Sequence, residues 1–404
     1  MSEGERGNMG AQKREPETDG MKNVFALGIV SFFTDVSSEM VFSLLPLFVV
    51  GLPGSGAETL GIIEGLAEAL GNGLRAVSGF FSDKFKKRKM IVLIGYAFSN
   101  AVKPLFAVAQ TVIDVLVIRV ADRIGKGIRT SPRDALLSES IPEKRRGMAF
   151  GVHRTLDQSG AIIGPLFASL ALYVLGFNIR DIFWISFIPG FLALVVLLVF
   201  VQEKVVKMSG EFKFLAGIRG VLKGNFPFLL FVVGIFSLGA FNYSFILLNA
   251  SEAGIDYRVV PILYMLINVA HTLVAIPSGI LSDRIGKEKV LMMGYGSFLA
   301  TVVLLYLFPA HYVFAFLVAL IFGVYDGINN TVARALIPKY TASEFKGTVY
   351  GLYYLVVGLC YLVANVVVGA LWQTTGPAVS ATYSIILSTV AIIGMMIFTI
   401  RQKA

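Results

Sequence analysis

Apolar runs of about twenty residues alternate with short polar stretches from residue 23 to residue 400. A helix of that length crosses the hydrocarbon core of a bilayer. The pattern therefore predicts an all-α polytopic membrane protein with twelve transmembrane helices. The predicted spans 1 to 12 cover residues 23–50, 59–81, 90–109, 111–131, 147–175, 181–202, 226–248, 258–281, 289–308, 311–333, 347–371 and 378–400.

The composition agrees with a membrane protein and excludes a soluble enzyme. Of the 404 residues, 56% are hydrophobic and 15% are charged, whereas soluble proteins carry about 25% charged residues. In a soluble protein the net charge of +9 would suggest nucleic acid. Here most basic residues fall in loops, so no nucleic-acid partner is predicted. The single cysteine, Cys360, lies in an apolar run and excludes an intrachain disulfide.

Lysine and arginine concentrate in alternate loops, and this asymmetry predicts the orientation of the chain. The loops after spans 2, 4, 6, 8 and 10 are basic, whereas the opposite loops hold little beyond Arg180 and Arg258. Because cytoplasmic loops carry the excess of positive charge, both termini are predicted to be cytoplasmic, with the protein in the plasma (inner) membrane. Residues 1–22 and 401–404 are then cytoplasmic tails.

An internal repeat recurs at an offset of 200 residues. The segment Ser78–Lys89 returns as Ser278–Lys289, with a shared Ser-Gly-x-x-Ser-Asp start. The repeat predicts two pseudo-symmetric six-helix bundles, residues 23–202 and 226–400, with a substrate site between them near the membrane midplane. The linker 203–225 holds apolar residues among basic ones, so a helix on the membrane surface and a flexible tether fit it equally well.

The loops after spans 2 and 8 carry a glycine–aspartate motif. The motif residues are Gly79, Asp83 and Lys84 in the first repeat and Gly279, Asp283 and Arg284 in the second. Together with twelve spans in two halves, the motif resembles the major facilitator superfamily over residues 22–400. The resemblance implies secondary active transport by alternating access, and it implies that the motif is a conformational latch on the cytoplasmic side. Positive charge that serves only topology is the alternative role.

A second motif, in span 5, resembles the antiporter branch of the same superfamily. Its residues are Gly160, Gly164 and Pro165, and a simple packing kink would explain them as well. Arg119 in span 4 stands where the superfamily has a membrane-embedded arginine. The resemblance implies a small-molecule or ion substrate, proton-coupled export by antiport and a monomer in the lipid bilayer. It implies no enzymatic activity and no cofactor, with the proton gradient as the energy source.

Charged side chains inside the spans are the candidate functional residues, because a charge in the bilayer is costly. Spans 6, 9 and 12 have no interior charge, and Lys103 in span 3 is expected to extend its amine toward the membrane surface. The candidates for proton coupling are Asp35, Glu39, Glu64, Glu68, Arg119 and Asp122. The candidates for the substrate cavity are His153, Asp157, Asn242, Tyr243, Asn268, His271, Asp326, Asn330 and Tyr353.

Three hypotheses for these charges stay open. In the first, Asp35 or Glu68 carries a proton and Arg119 compensates the charge. In the second, the chain is a ferroportin-like exporter whose oxygen and nitrogen side-chain atoms bind a divalent metal. The candidate metal ligands are Asp35, Glu39, His153 and Asp157. In the third, the charges form structural ion pairs. A non-transporting receptor or scaffold is the alternative of another class, and the cost of desolvating the cavity charges argues against it.

Overall fold

The computed structural model describes residues 17–84, 88–142, 145–203, 224–340 and 346–402, with no strand among them. The helices are α1 Glu17–Phe42, α2 Leu45–Val50, α3 Ala57–Lys84, α4 Arg88–Val102, α5 Val112–Glu139, α6 Arg146–Val174, α7 Ile179–Ile185, α8 Phe187–Phe200, α9 Phe226–Gly239, α10 Tyr243–Glu252, α11 Val260–Ile285, α12 Lys287–Leu307, α13 Tyr312–Leu336, α14 Lys346–Thr375 and α15 Pro377–Arg401. Short 3₁₀ helices at Lys103–Ala107 and Ile337–Tyr340 extend α4 and α13. The all-helical class is confirmed.

Nine helical segments within the described ranges are long and apolar enough to cross a membrane. They are residues 20–50, 88–107, 179–200, 226–252, 260–285, 287–307, 312–336, 349–375 and 377–401. Helices α3, α5 and α6 are as long, with 28, 28 and 29 residues, but they are less apolar, and α3 and α5 carry charged side chains along much of their length. The membrane class is therefore confirmed, while the count of twelve spans stays a prediction.

Among the segments that the hydropathy pattern predicts to be continuous, two are broken over more than one residue. The helix pair α1 and α2 is interrupted at residues 43–44, just before Pro46, and the pair α9 and α10 at residues 240–242. Asn242 caps the second break, because its side chain accepts the backbone N–H of Ser244 at 2.9 Å. Its own N–H donates to Asn365 Oδ1 at 3.0 Å. Such breaks place polar helix ends inside a membrane protein, where they face protein and not lipid.

The helices before residue 204 pack mainly among themselves, and so do the helices after residue 223. Helix α1 packs against α6 and α8, and α5 packs against α3 and α4. In the later part of the chain, α13 packs against α11 and α12, and α15 against α9 and α12. The two sets meet mainly along two helix pairs, α3 with α14 and α6 with α11. These two pairs enclose the space between the sets.

Glycines allow the closest of these helix approaches. A Cβ added at Gly61 of α3 would overlap the backbone carbonyl of Asn365 in α14, and one at Gly369 of α14 would lie 2.5 Å from the carbonyl oxygen of Ala57. Between α6 and α1, a Cβ at Gly164 would lie 2.7 Å from the carbonyl oxygen of Val36, and Gly160 is equally close to Phe32. The span 5 motif therefore packs α6 against α1.

The expectation that Lys103 reaches the membrane surface is wrong. Its side chain is fully buried, and Nζ donates to Ser37 Oγ at 2.7 Å and to Ser38 Oγ at 3.2 Å. Both serines belong to α1, which packs beside the 3₁₀ turn that Lys103 begins. Hydrogen bonds inside the protein thus replace the interfacial water that a surface lysine would find.

Part of the predicted latch lies outside the described residues. This holds for the side chains of Asp83 and Lys84, for the surroundings of Gly79 and for most of the linker 203–225. In the second repeat, Asp283 and Arg284 are exposed at the end of α11. Gly279 has room for a Cβ, whose nearest neighbour would be Thr331 at 3.6 Å.

Candidate functional site

A cavity of about 520 Å³ lies between the two sets of helices. Its lining comes from α1, α3, α4, α5 and α6 on one side, and from α10, α11, α13 and α14 on the other. It extends to Arg133 and Asp134 near the C-terminal end of α5, and to Arg334 near that of α13. On the far side of the molecule, Ser169 in α6 donates to the backbone oxygen of Arg258 at 2.6 Å, so the two sets are in direct contact there.

The wall formed by the earlier helices is built from ion pairs. Arg123 Nη2 lies 2.6 Å from Glu68 Oε1, which joins α5 to α3. Arg154 Nη1 lies 2.8 Å from Asp157 Oδ2 within α6. Arg133 and Asp134 form a third pair at 2.8 Å. Because these three arginines each have a partner of opposite sign, the wall can hold many charges at membrane depth.

A second layer of charge lies behind this wall and outside the cavity lining. Arg119 Nη2 donates to Glu64 Oε2 at 2.9 Å, and both side chains are at most 1% exposed. The Arg119 guanidinium also lies 3.8 Å from the ring centroid of Phe42. Asp122, 4.0 Å from Arg119, accepts a 2.5 Å hydrogen bond from Ser99. The six residues predicted for proton coupling thus divide into Asp35, Glu39 and Glu68 at the cavity and these three behind it.

Two carboxyl groups meet inside the cavity. Asp35 of α1 and Asp157 of α6 lie within hydrogen-bonding reach of each other. Two ionised carboxylates have only acceptors, so a hydrogen bond between them requires one bound proton. Among the nearby cations, Lys126 of α5 has the strongest electrostatic effect on Asp35, and it also acts on Glu39. This geometry is suited to binding and releasing a single proton.

Polar contacts cross the cavity from one set of helices to the other. The Tyr264 hydroxyl in α11 donates to Glu39 Oε2 in α1 at 2.6 Å. His271 Nε2 lies 3.5 Å from Arg154 Nη2, and its Nδ1 lies 2.8 Å from Asp326 Oδ2. These contacts join α1 and α6 to α11 and α13, and they depend on the relative position of the two sets.

The wall formed by the later helices is aromatic and polar. Tyr243 stacks on Tyr264 with ring centroids 4.4 Å apart. Asn330 donates to Asp326 Oδ1 at 2.6 Å. The remaining polar residues on this wall are Asn242, Asn268, Asn329, Tyr325, Tyr353, Tyr354 and Tyr361. Such a wall offers ring faces, hydroxyl groups and amides to a bound molecule.

Most of the residues predicted for the cavity do line it. Asp157 and all seven candidates from the later helices belong to the lining. His153 does not, because it is 4% exposed and lies 3.0 Å from the Ser31 hydroxyl. No group of three or more His, Cys, Asp or Glu side chains in the described ranges is arranged to hold a metal ion. Asp35, Glu39, His153 and Asp157 form no such group in those ranges, and metal binding stays a hypothesis.

Comparison with known proteins supplies the family. The sequence model of the Major Facilitator Superfamily matches residues 27–365. The chain belongs to the major facilitator superfamily. It is 34% identical over 389 residues to an uncharacterized MFS-type transporter of Methanocaldococcus jannaschii, a match that covers 94% of this chain and 96% of the relative. The resemblance to this superfamily that the motifs predict is confirmed.

Other superfamily members are similar at greater distance. The multidrug resistance protein MdtG of Proteus mirabilis is 26% identical over 294 residues, which cover 70% of this chain and 72% of that protein. The crystal structure of the nucleoside transporter NupG matches with a TM-score of 0.75 at 12% identity, covering 94% of this chain and 99% of that one. At such low identity the structural likeness concerns the superfamily fold alone.

Within the superfamily fold, several lining residues were missed by sequence reasoning. They are Tyr96, Lys126, Arg129, Arg133, Arg154, Tyr264, Tyr325, Arg334, Tyr354 and Tyr361. The basic residues of α5 resemble a solvated cytoplasmic loop in sequence, although their side chains turn into the cavity. The tyrosines carry no charge and so lack the signal that marks a costly residue in a membrane. The spacing of seven residues between Tyr354 and Tyr361 on α14 is a pattern that indicates a shared helix face.

Proposed function

We propose that the protein is a proton-coupled secondary transporter that exports a small solute in exchange for protons. The observation that carries the proposal is the pair Asp35 and Asp157, two carboxyl groups within hydrogen-bonding reach in a cavity between two sets of helices. Membership of the superfamily supports transport of a small molecule. The span 5 motif and the distant similarity to a multidrug resistance protein support export.

Alternating access follows from the arrangement of the two sets. In this proposal, twelve spans form two bundles, residues 22–202 and 226–400, that rock around the cavity. The end of the cavity at Arg133 and Arg334 is the cytoplasmic end, because the basic loops lie on that side. The described state is then open to the cytoplasm. The close packing of α3 with α14 and of α6 with α11 supplies the surfaces on which the bundles pivot.

The proton step uses the carboxyl pair and its cations. A proton shared by Asp35 and Asp157 reduces the repulsion between them, and its loss leaves two charges that Lys126 and Arg154 compensate. Rocking of the bundles breaks the contact between Tyr264 and Glu39. It also exposes Asp35 and Asp157 to the opposite side of the membrane. Glu68 remains a candidate second proton carrier. In this scheme Arg119 holds the charged layer behind the wall in place.

The latch has a place in the same cycle. Asp283 and Arg284 are exposed at the end of α11 in the described state, as expected of a latch that engages when the cytoplasmic side closes. Asp83 and Lys84 are proposed to act in the same way for the first repeat. A carboxylate at a helix end can meet basic residues of the opposite bundle or a helix N-terminus there.

Transport in proteoliposomes tests the proposal. Ethidium, fluorescein and Mn²⁺ serve as cationic, anionic and metal probes, and an imposed pH gradient should drive at least one of them across the membrane. Asp35→Asn and Asp157→Asn should each abolish the driven component, because an amide cannot exchange the proton. The matched control is Glu58→Gln, an equivalent change at an exposed carboxylate outside the cavity. Transport that ignores the gradient and is unaffected by both variants would contradict proton coupling.

A further inference from the structure

We propose that the substrate carries an anionic group, a carboxylate or a phosphate, and that Arg129 binds this group inside the cavity. The inference rests on the proposed transport function and names the chemical class of the substrate. It concerns Arg129 of α5, which neither the sequence motifs nor the proton step involves.

Arg129 is a buried cation with no carboxylate partner among the residues that the structure describes. Its residue is 4% exposed, and its side chain contributes to the cavity lining. Its guanidinium packs against the ring of Tyr96, whose centroid lies 4.3 Å from the guanidinium carbon. The Nη1 atom is buried without a hydrogen bond in the described part of the chain. A buried guanidinium with unsatisfied N–H groups is unfavourable unless a ligand supplies the acceptors.

The other arginines of the same wall differ from Arg129 in this respect. Arg123 pairs with Glu68 at 2.6 Å, Arg133 with Asp134 at 2.8 Å and Arg154 with Asp157 at 2.8 Å. Their positive charge is compensated before any substrate binds. The charge of Arg129 is left for a molecule that enters the cavity.

The position of Arg129 is held by the packing of α4 against α5. A Cβ added at Gly95 would lie 2.7 Å from Arg129 Cβ and 2.9 Å from the carbonyl oxygen of Gly125, so the two helices touch at this level. Tyr96, the next residue, places its ring against the guanidinium. An arginine held in this way loses little entropy on binding, and its planar fork matches the oxygens of a carboxylate or phosphate.

The opposite wall indicates the rest of the substrate. Tyr325, Tyr353, Tyr354 and Tyr361 line the cavity across from α5. Tyrosine rings pack against ring systems and apolar surfaces, and their hydroxyl groups bind polar substituents. The cavity volume of about 520 Å³ is in the range of sites for small organic molecules. The class that fits both walls is an organic acid or phosphate ester with a ring.

Binding to the purified full-length protein tests the inference without a proton gradient. The probes are matched pairs: benzoate with benzamide, indole-3-acetate with indole-3-acetamide, and phenyl phosphate with phenol. The charged member of each pair should raise the unfolding temperature more than its neutral counterpart. Arg129→Gln should weaken binding of the anions by about 10- to 100-fold, as expected for a lost charge-assisted hydrogen bond. Arg129→Lys, which keeps the charge but not the fork, should fall between.

Arg258→Gln is the matched control. Arg258 also lies over tyrosine rings, those of Tyr173 and Tyr257, but it lies outside the cavity lining. Its substitution should leave anion binding unchanged. Equal binding of anions and neutral counterparts, or full anion binding by Arg129→Gln, would overturn the inference. Because no gradient is involved, this failure is distinct from a failure of proton coupling.

Protection of wild-type arginines from chemical modification gives a second measurement in case Arg129→Gln does not fold. Phenylglyoxal modifies guanidinium groups, and mass spectrometry locates the modified arginines. Indole-3-acetate should slow modification of Arg129 and leave Arg258 unaffected in nanodiscs of phosphatidylcholine. Protection of Arg129 by phosphatidylglycerol nanodiscs alone, with no effect of indole-3-acetate, would assign the anion site to a lipid headgroup and overturn the substrate assignment.

Discussion

The two walls of the cavity come from sequence repeats, yet they carry different chemistry. At the repeat offset of 200 residues, Glu68 corresponds to Asn268 and Arg154 to Tyr354, and all four residues line the cavity. Behind the wall, the ion pair of Glu64 and Arg119 corresponds to Tyr264 and Ala319. The repeat has thus preserved helix positions, while most of the charge at the cavity comes from the earlier set of helices. In our proposal the charged wall moves protons and the aromatic wall recognises the body of the substrate.

A second comparison shows a contact preserved with its signs exchanged. Arg88 pairs with Glu139 between the ends of α4 and α5. The same offset places Glu288 and Lys339 at the corresponding positions of the later helices, and they pair at 2.6 Å. The equivalent positions therefore keep an ion pair but exchange the acid and the base. What matters for these helix ends is that the charges are complementary.

The largest effect is expected from breaking the charged layer that only the earlier helices have. Arg119→Met leaves Glu64 as an unpaired buried charge and should lower the free energy of unfolding by about 3–5 kcal/mol. The double variant Glu64→Leu/Arg119→Met removes both charges and should regain most of the loss. Thermal unfolding in detergent measures both. A double variant as unstable as the single one would mean that Glu64 and Arg119 stabilise the protein through contacts other than their own ion pair.

A smaller effect is expected where the two sets of helices touch. Gly61→Ala places a Cβ against the backbone of α14 and should cost about 1–3 kcal/mol through overpacking. Gly73→Ala on the same helix is the control, because nothing lies within 4 Å of its added Cβ. The same unfolding measurement compares the two variants. Equal stabilities would show that α3 and α14 can separate without penalty.

The smallest effect is expected from the pair with exchanged signs. Arg88→Glu places two acids together and should cost about 1 kcal/mol, because the pair is partly exposed. The swap Arg88→Glu/Glu139→Arg reproduces the arrangement found at Glu288 and Lys339 and should restore stability in the same assay. If the double variant is no more stable than Arg88→Glu, other neighbours determine which position carries the acid and which the base. The comparison of the two pairs then fails.

The candidate site could be predicted in part, since charge in a membrane is conspicuous in a sequence. Asp35, Glu39, Glu68 and Asp157 were predicted as functional candidates, and all of them line the cavity. His153 was predicted for the same cavity but faces Ser31 inside the protein. Residue type and depth were sufficient to nominate these positions. Composition and spacing do not predict how each helix is rotated about its axis, and therefore which side chains face the cavity.

What the sequence determined by itself is the class of the protein: a helical membrane chain with a repeat of 200 residues and with its interior charges concentrated in the first half. These properties follow from the cost of exposing polar groups to lipid, which acts on each segment separately. The tertiary structure decided which charges meet. The close approach of α1 to α6 joins Asp35 to Asp157, the packing of α4 on α5 places Tyr96 against Arg129, and α1 buries Lys103. Such pairings depend on the contacts between distant segments, and hydropathy along one chain contains no information about them.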